Sequence, residues 1–194
     1  MTALVVGLVL FLGLHSVRIF ADDWRTRTRE RVGANRFKLL YSLFSVLGFA
    51  LLVWGYGQAR MSSPVLWVAP LGMYHAAAGL MLISMIFLAG SHSKTSHITV
   101  AVRHPMLWGV IVFAAAHLLP NGRVADVVLF GAFGVWAIVD LLSCYARDRK
   151  NNTVYPQPVL RKTVIHLLAG VVFYAVFAFV LHTILIGVSP VPGR

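Results

Sequence analysis

Six stretches of this chain are apolar over about the length a helix needs to cross a bilayer, and little else is compatible with that pattern. Crossing the ~30 Å hydrocarbon core takes roughly 20 apolar residues. They must be helical, because backbone N–H and C=O groups without water have to bond to one another. The stretches cover residues 2–21, 37–57, 68–88, 105–119, 124–144 and 164–187. The fourth is short, and the apolar segment 98–102 ahead of it is positioned to lengthen it. The remaining loops and tails are too small for a further soluble domain of ordinary size. The expected fold is all-α: a polytopic membrane protein with six transmembrane helices in one bundle, a single domain over residues 1–194.

Composition closes the other classes. The chain is 59% hydrophobic and only 12% charged, where soluble domains carry roughly 25% charged residues. Folded in water it would expose more apolar surface than a monomer tolerates. Cys144 is the one cysteine, so no disulfide scaffold is available within the chain. Intrinsic disorder is excluded by the same apolar content. The first stretch reads as a span and not as a signal peptide. No basic residue precedes its apolar run and no small-residue cleavage site comes after it.

The 17 Lys and Arg against 6 Asp and Glu give a net charge of +11, and their placement matters more than their number. Alternating along six spans, fourteen fall on one side: Arg18, Arg25, Arg27, Arg29, Arg31, Arg36, Lys38, Lys94, Arg103, Arg147, Arg149, Lys150, Arg161 and Lys162. Arg60, Arg123 and Arg194 fall on the other. Cytoplasmic loops are enriched in Lys and Arg, so the expectation is a multi-pass bacterial inner-membrane protein with both termini in the periplasm. The lipid bilayer is its first partner, and the basic side has a grip on anionic headgroups. No nucleic-acid role is expected, since the aromatic-interleaved basic surface that it requires is missing. Pro120-Asn121-Gly122 marks a tight outer turn, and Pro156 and Pro158 keep the linker before the last span out of helix. Ala76-Ala77-Ala78-Gly79 suits close helix contact. No internal repeat supports an inverted-repeat transporter.

Ionisable groups inside a bilayer are costly and need a reason. The candidates are His15, His75, His117, His166, His182 and Asp140. Counting along the helices places His75 and His117 about 10–12 Å below the outer edge of the core, and His15 roughly 9 Å from the inner edge. His166, His182 and Asp140 come out near span ends, where water reaches. Neutral imidazoles that face one another across a bundle can ligate a metal or a haem iron. Alternatively, they make interhelical hydrogen bonds. Asp140 is expected to pair with Arg18, relieving the cost of both charges. The loop from Ser91 to His97 holds two histidines but no carboxylate or thiol to complete a zinc shell, and reads as solvated. Trp54, Trp67 and Trp108 read as interfacial residues, and Met73, Met81, Met85 and Met106 as packing.

Arg103-His104-Pro105-Met106-Leu107-Trp108-Gly109, with Ala116-His117-Leu118-Leu119-Pro120-Asn121-Gly122 after it, resembles the NnrU family. Further matches lie at His15-Ser16-x-Arg18, at Tyr74-His75 and at Leu129-Phe130-Gly131-Ala132-Phe133, so the resemblance runs over most of the chain. It implies an inner-membrane protein associated with denitrification, supporting nitrite and nitric oxide reduction. It also implies kinship with the plastid 15-cis-zeta-carotene isomerase, whose NnrU-like domain carries haem b. That relative's haem ligands match His15 and His117. Its exchangeable cysteine, three residues before the second ligand, is Ala114 here, a departure that weakens the isomerase reading. The depth count favours His75 with His117, whereas the resemblance favours His15 with His117, and His117 is common to both.

The functional expectation is therefore a haem b protein engaged in electron transfer or redox sensing, with a redox partner or a nitrogen-oxide reductase as its protein partner. His117 with His15 or His75 would be axial to the iron. Arg18 or Arg103, with His104 beside it, would hold the propionates on the basic side. Two alternatives stand beside it: haem-dependent cis–trans isomerisation of a lipophilic polyene, and a non-haem accessory factor for nitrogen-oxide reductases. The shorter Arg-His-Pro-Met segment also occurs in isoprenylcysteine carboxyl methyltransferases. Their paired acidic segment is replaced here by Arg147-Asp148-Arg149-Lys150, which argues against methyl transfer.

Overall fold

The apolar stretches become helices, and the one that does not reach full length is the one that carries proline and arginine at its start. A computed structural model describes residues 1–190; Arg194, counted above on the outer side, lies outside the described residues. The helices are α1 (Thr2–Phe20), α2 (Asp22–Val32), α3 (Ala34–Ser62), α4 (Leu71–Ala89), α5 (His97–Val102), α6 (Pro105–Leu118), α7 (Val124–Lys150), α8 (Leu160–Val176) and α9 (His182–Ile186). A 3₁₀ turn at Gly90–His92 extends α4, and a π-helical turn at Phe177–Leu181 joins α8 to α9.

Five stretches are long and apolar enough to cross a membrane: Thr2–Phe20, Ala34–Ser62, Leu71–His92, Val124–Lys150 and Leu160–Ile186. The sixth expected span, the short fourth stretch, does not reach that length. The fourth apolar stretch forms α6, whose 14 residues measure about 21 Å at the standard helical rise. The segment before it does not lengthen it. Pro105 disfavours the helical region for His104, which sits at φ −119°, ψ 67°. Arg103 lies at φ 63°, a conformation that side chains rarely adopt. The chain therefore turns, and the preceding residues form α5 separately.

Neighbouring helices pack in the order α3, α1, α7, α6, α4, α8. Between the first four lies a core of Leu4, Leu8, Leu12, Leu52, Leu129 and Phe130. α1 and α3 come close because glycines face the contact: a Cβ on Gly55 would strike the Leu4 backbone. α4 and α6 are joined by the Ser84 hydroxyl, which is fully buried and donates to the Gly109 carbonyl at 2.8 Å. Of the small-residue patch, only Ala77 is buried, while Ala76 and Gly79 face outward.

Two local expectations change. α2 is an additional helix inside the basic inner loop. Its Asp22 and Asp23 sit at the start and Arg29 and Arg31 at the end, as the helix dipole favours. Asp140 pairs with Arg147 at 3.6 Å, two turns along its own helix, and not with Arg18. Arg18 instead approaches Asp22 at 3.9 Å, since α1 ends there and α2 begins. The outer turn at Pro120-Asn121-Gly122 forms as expected: Leu66 N–H donates to the Gly122 carbonyl at 2.6 Å. The linker with Pro156 and Pro158 stays non-helical up to α8.

Candidate functional site

His117 is delivered by the last turn of α6 to the outer end of the bundle. Its Nδ1–H donates to the Phe113 carbonyl at 2.9 Å, and its ring stacks on Phe130 at 4.5 Å with an interplanar angle of 25°. The Asn121 amide reaches back to the His117 carbonyl at 2.8 Å and closes the turn. Nε2 has no hydrogen-bond partner among the described residues. A neutral imidazole held in this way, with one nitrogen engaged by a carbonyl, is the arrangement that metal-ligating histidines use.

His117 lines a partly open cavity of ≈160 Å³. Tyr74, Met81, Met85, Tyr174 and Phe177 supply an aromatic and thioether wall. The second imidazole in that wall is His182. It comes directly after the π-helical turn, and its Nδ1–H donates to the Val188 carbonyl at 2.6 Å. Its Nε2, like that of His117, is without a partner among the described residues. An extra residue within a helical turn rotates the side chains beyond it to a new face, and such turns recur at functional sites.

The remaining candidates are placed elsewhere. His75 is exposed on α4, bonded to the Leu71 carbonyl at 3.2 Å; its neighbour Tyr74 is the residue of that pair that lines the cavity. His15 donates to the Phe11 carbonyl at 2.7 Å and packs against Phe11, Tyr41 and Trp136. Its station on α7 is Trp136 and that of His117 is Phe130, a separation of about 9 Å along the axis. The phenylalanines one turn from each histidine, Phe11 and Phe113, pack into the core with Phe130 and Phe133. Arg18, Arg103 and His104 lie at the basic end. Arg103 and His117 are at opposite ends of α6, about 21 Å apart along the helix.

The basic end is built differently. Asp148 accepts from His104 Nε2 at 2.8 Å and from the Tyr155 hydroxyl at 2.7 Å. The Arg103 guanidinium lies over the Tyr155 ring at 5.5 Å. Burial, and then the bond to Asp148, push the Tyr155 phenol up to about 12. Trp108, expected at the interface, donates to the Tyr145 hydroxyl at 3.1 Å. His166 is buried at 3% exposure, not water-accessible as its position suggested. Its Nε2–H donates to the Ile86 carbonyl at 2.6 Å, and Nδ1 accepts from Ser96 at 2.8 Å. The segment read as a solvated loop thus contributes a fully buried serine.

Sequence reasoning passed over His182 as a cavity residue, since its nearness to a span end suggested contact with water. It also passed over Asp126, which bonds Tyr56 at 2.7 Å and caps α7. The signal for that cap was an acid in the first turn after Gly122-Arg123. Compared with known proteins, the chain matches the family model described as NnrU protein over residues 3–190, nearly its whole length. No curated protein and no solved structure matches it.

Proposed function

The chain belongs to the NnrU family, and on that premise we propose that it is a haem b-binding protein of the bacterial inner membrane. Its role is to support nitrite and nitric oxide reduction by electron transfer or redox sensing. The observation that carries the reading is the outer-end cavity, where two imidazoles have Nδ1 engaged and Nε2 unpartnered among the described residues. That donor set suits haem iron. The wall of Met81, Met85, Tyr174 and Phe177 suits an apolar macrocycle. The cavity is partly open, so a macrocycle need not be fully enclosed to reach its imidazoles.

His117 and His182 would hold the haem, which would supply one-electron chemistry there. The protein's own residues do the positioning. The Phe113 carbonyl holds His117 in the Nδ1–H tautomer, and Phe130 fixes the plane of its ring. The Val188 carbonyl likewise holds the tautomer of His182. Arg60, whose guanidinium reaches the Ile186 carbonyl at 3.3 Å, ties the end of α3 to the end of α9. Ala114, buried against Gly134, offers no thiol for a redox exchange of ligands, so redox or sensing is the reading, not isomerisation.

The test is the oxidised and dithionite-reduced spectrum of detergent-purified protein beside four variants. His117→Ala is expected to abolish the Soret band and His182→Ala to remove its low-spin form, with His15→Ala and His75→Ala retaining it. Full retention of the band in His117→Ala, or a colourless wild-type protein after haem reconstitution, overturns the reading.

A further inference from the structure

A second cavity, ≈560 Å³, lies at the basic end between α4, α8 and the turn that leads to α5. Its wall is apolar, formed by Leu88, Ala89, Ile165, Ala169 and Phe173, and its mouth carries Lys94 and Lys162. No acidic residue lines it. Both lysines are exposed, and neither has a carboxylate partner among the described residues.

The walls are tied together. His166 bridges α8 to Ile86 and Ser96. Its ring fills the space that a Cβ on Gly90 would occupy. Val159 N–H donates to the Thr95 carbonyl at 2.8 Å, and His97 N–H to Thr163 Oγ1 at 2.9 Å. The cavity is therefore held open by hydrogen bonds between elements. The Ser93 hydroxyl beside it is buried with no partner of its own among the described residues.

We propose that this cavity binds an anionic phospholipid of the leaflet on the basic side. The phosphate would lie between Lys94 and Lys162, with an acyl chain along Ile165, Ala169 and Phe173. Three observations converge on that occupant. The cavity sits at the end of the bundle that carries Lys94 and Lys162, the side to which the sequence reading assigns fourteen of 17 basic residues and at which headgroups would meet the helices. Its mouth is cationic and unpaired, so an anion meets no competing carboxylate. Its interior is apolar, so it favours hydrocarbon over water. The inference is independent of the haem reading, because the two cavities share no residue.

The experiment incorporates the full chain into nanodiscs of phosphatidylcholine containing a minor fraction of phosphatidylglycerol, and measures the phosphatidylglycerol retained on detergent extraction by native mass spectrometry. Lys94→Gln with Lys162→Gln is expected to lower retention about tenfold or more. Ala169→Phe, which fills the cavity and leaves the charge alone, is expected to lower it similarly. Arg27→Gln with Arg31→Gln on α2 removes the same charge elsewhere and is expected to leave it unchanged. Excess glycerol phosphate is expected not to displace the lipid. Equal loss in the α2 control, retention in both cavity variants, or displacement by glycerol phosphate would overturn the proposal.

Discussion

At the basic end of the bundle His166 has both ring nitrogens engaged and His104 is bound to Asp148, whereas at the opposite end His117 and His182 engage Nδ1 alone among the described residues. The residue type is the same, yet one pair ties segments together and the other lines a cavity with one nitrogen bonded. The difference comes from what the backbone brings near. At the basic end, the segment after α4 folds inward and supplies Ser96, and α4 itself supplies the Ile86 carbonyl, to His166. At the outer end, the histidines find carbonyls only within their own chain segments, four residues before His117 and six after His182. A histidine bonded across helices ties them together, whereas local bonding leaves a nitrogen without a protein partner among the described residues; of the locally bonded histidines, His117 and His182 line the outer cavity and His15 and His75 do not.

The comparison can be broken most decisively by exchanging the two classes. His117→Ala is expected to lose all haem absorbance with a modest change in thermal stability, while His166→Ala is expected to keep the spectrum. The reverse pattern would sink the distinction. Next in size, Ser96→Ala leaves His166 Nδ1 buried without its donor, at a cost of about 1–3 kcal/mol. Thermal unfolding in detergent reads this directly, and an unchanged midpoint would mean that the bond contributes little. A smaller effect is expected for Asp148→Asn, about 1 kcal/mol, because its side chain retains 14% exposure and water can replace part of what is lost.

The smallest effect concerns alkaline pH. Tyr155, raised from 10.0 to about 12 by burial and by Asp148, favours its neutral form in the folded protein. Its contribution to stability is thus complete below pH 10 and fades as pH rises through about 12. Tyr155→Phe is expected to remove a phenolate absorbance that appears near pH 12 and to flatten the alkaline decline in stability. A phenolate that appears near pH 10 in the wild type and is lost in the variant would contradict the raised value.

Much of the architecture was legible because hydropathy and charge act locally. The runs that formed α1, α3, α4, α7 and α8 needed no partner to be recognised, since each had to satisfy its own backbone in lipid. The short α6 was half legible: its brevity was visible, but a segment ending at Val102 looked continuous with it. Only the φ of Arg103 shows that the two are separate. α2 was missed because its charged residues read as loop, although its acids first and bases last are a helix signature.

The site was less legible, and the histidines show why. Depth counting gave His75 the right level, but depth is one coordinate and helical phase is another. A rotation of about 100° per residue puts Tyr74 in the cavity wall and His75 outside it. His182 required the π-helical turn, which sequence periodicity does not announce.

The amino-acid sequence by itself determined that this is a helical membrane protein of the NnrU family. Solvation in lipid and attraction to anionic headgroups are properties that each segment carries alone. Only the tertiary structure decided that His117 shares its cavity with His182 in place of His75, and that Ser96 is buried under His166. Those outcomes depend on the phase, tilt and close approach of helices far apart in the chain. They are settled by packing between side chains that no single segment contains.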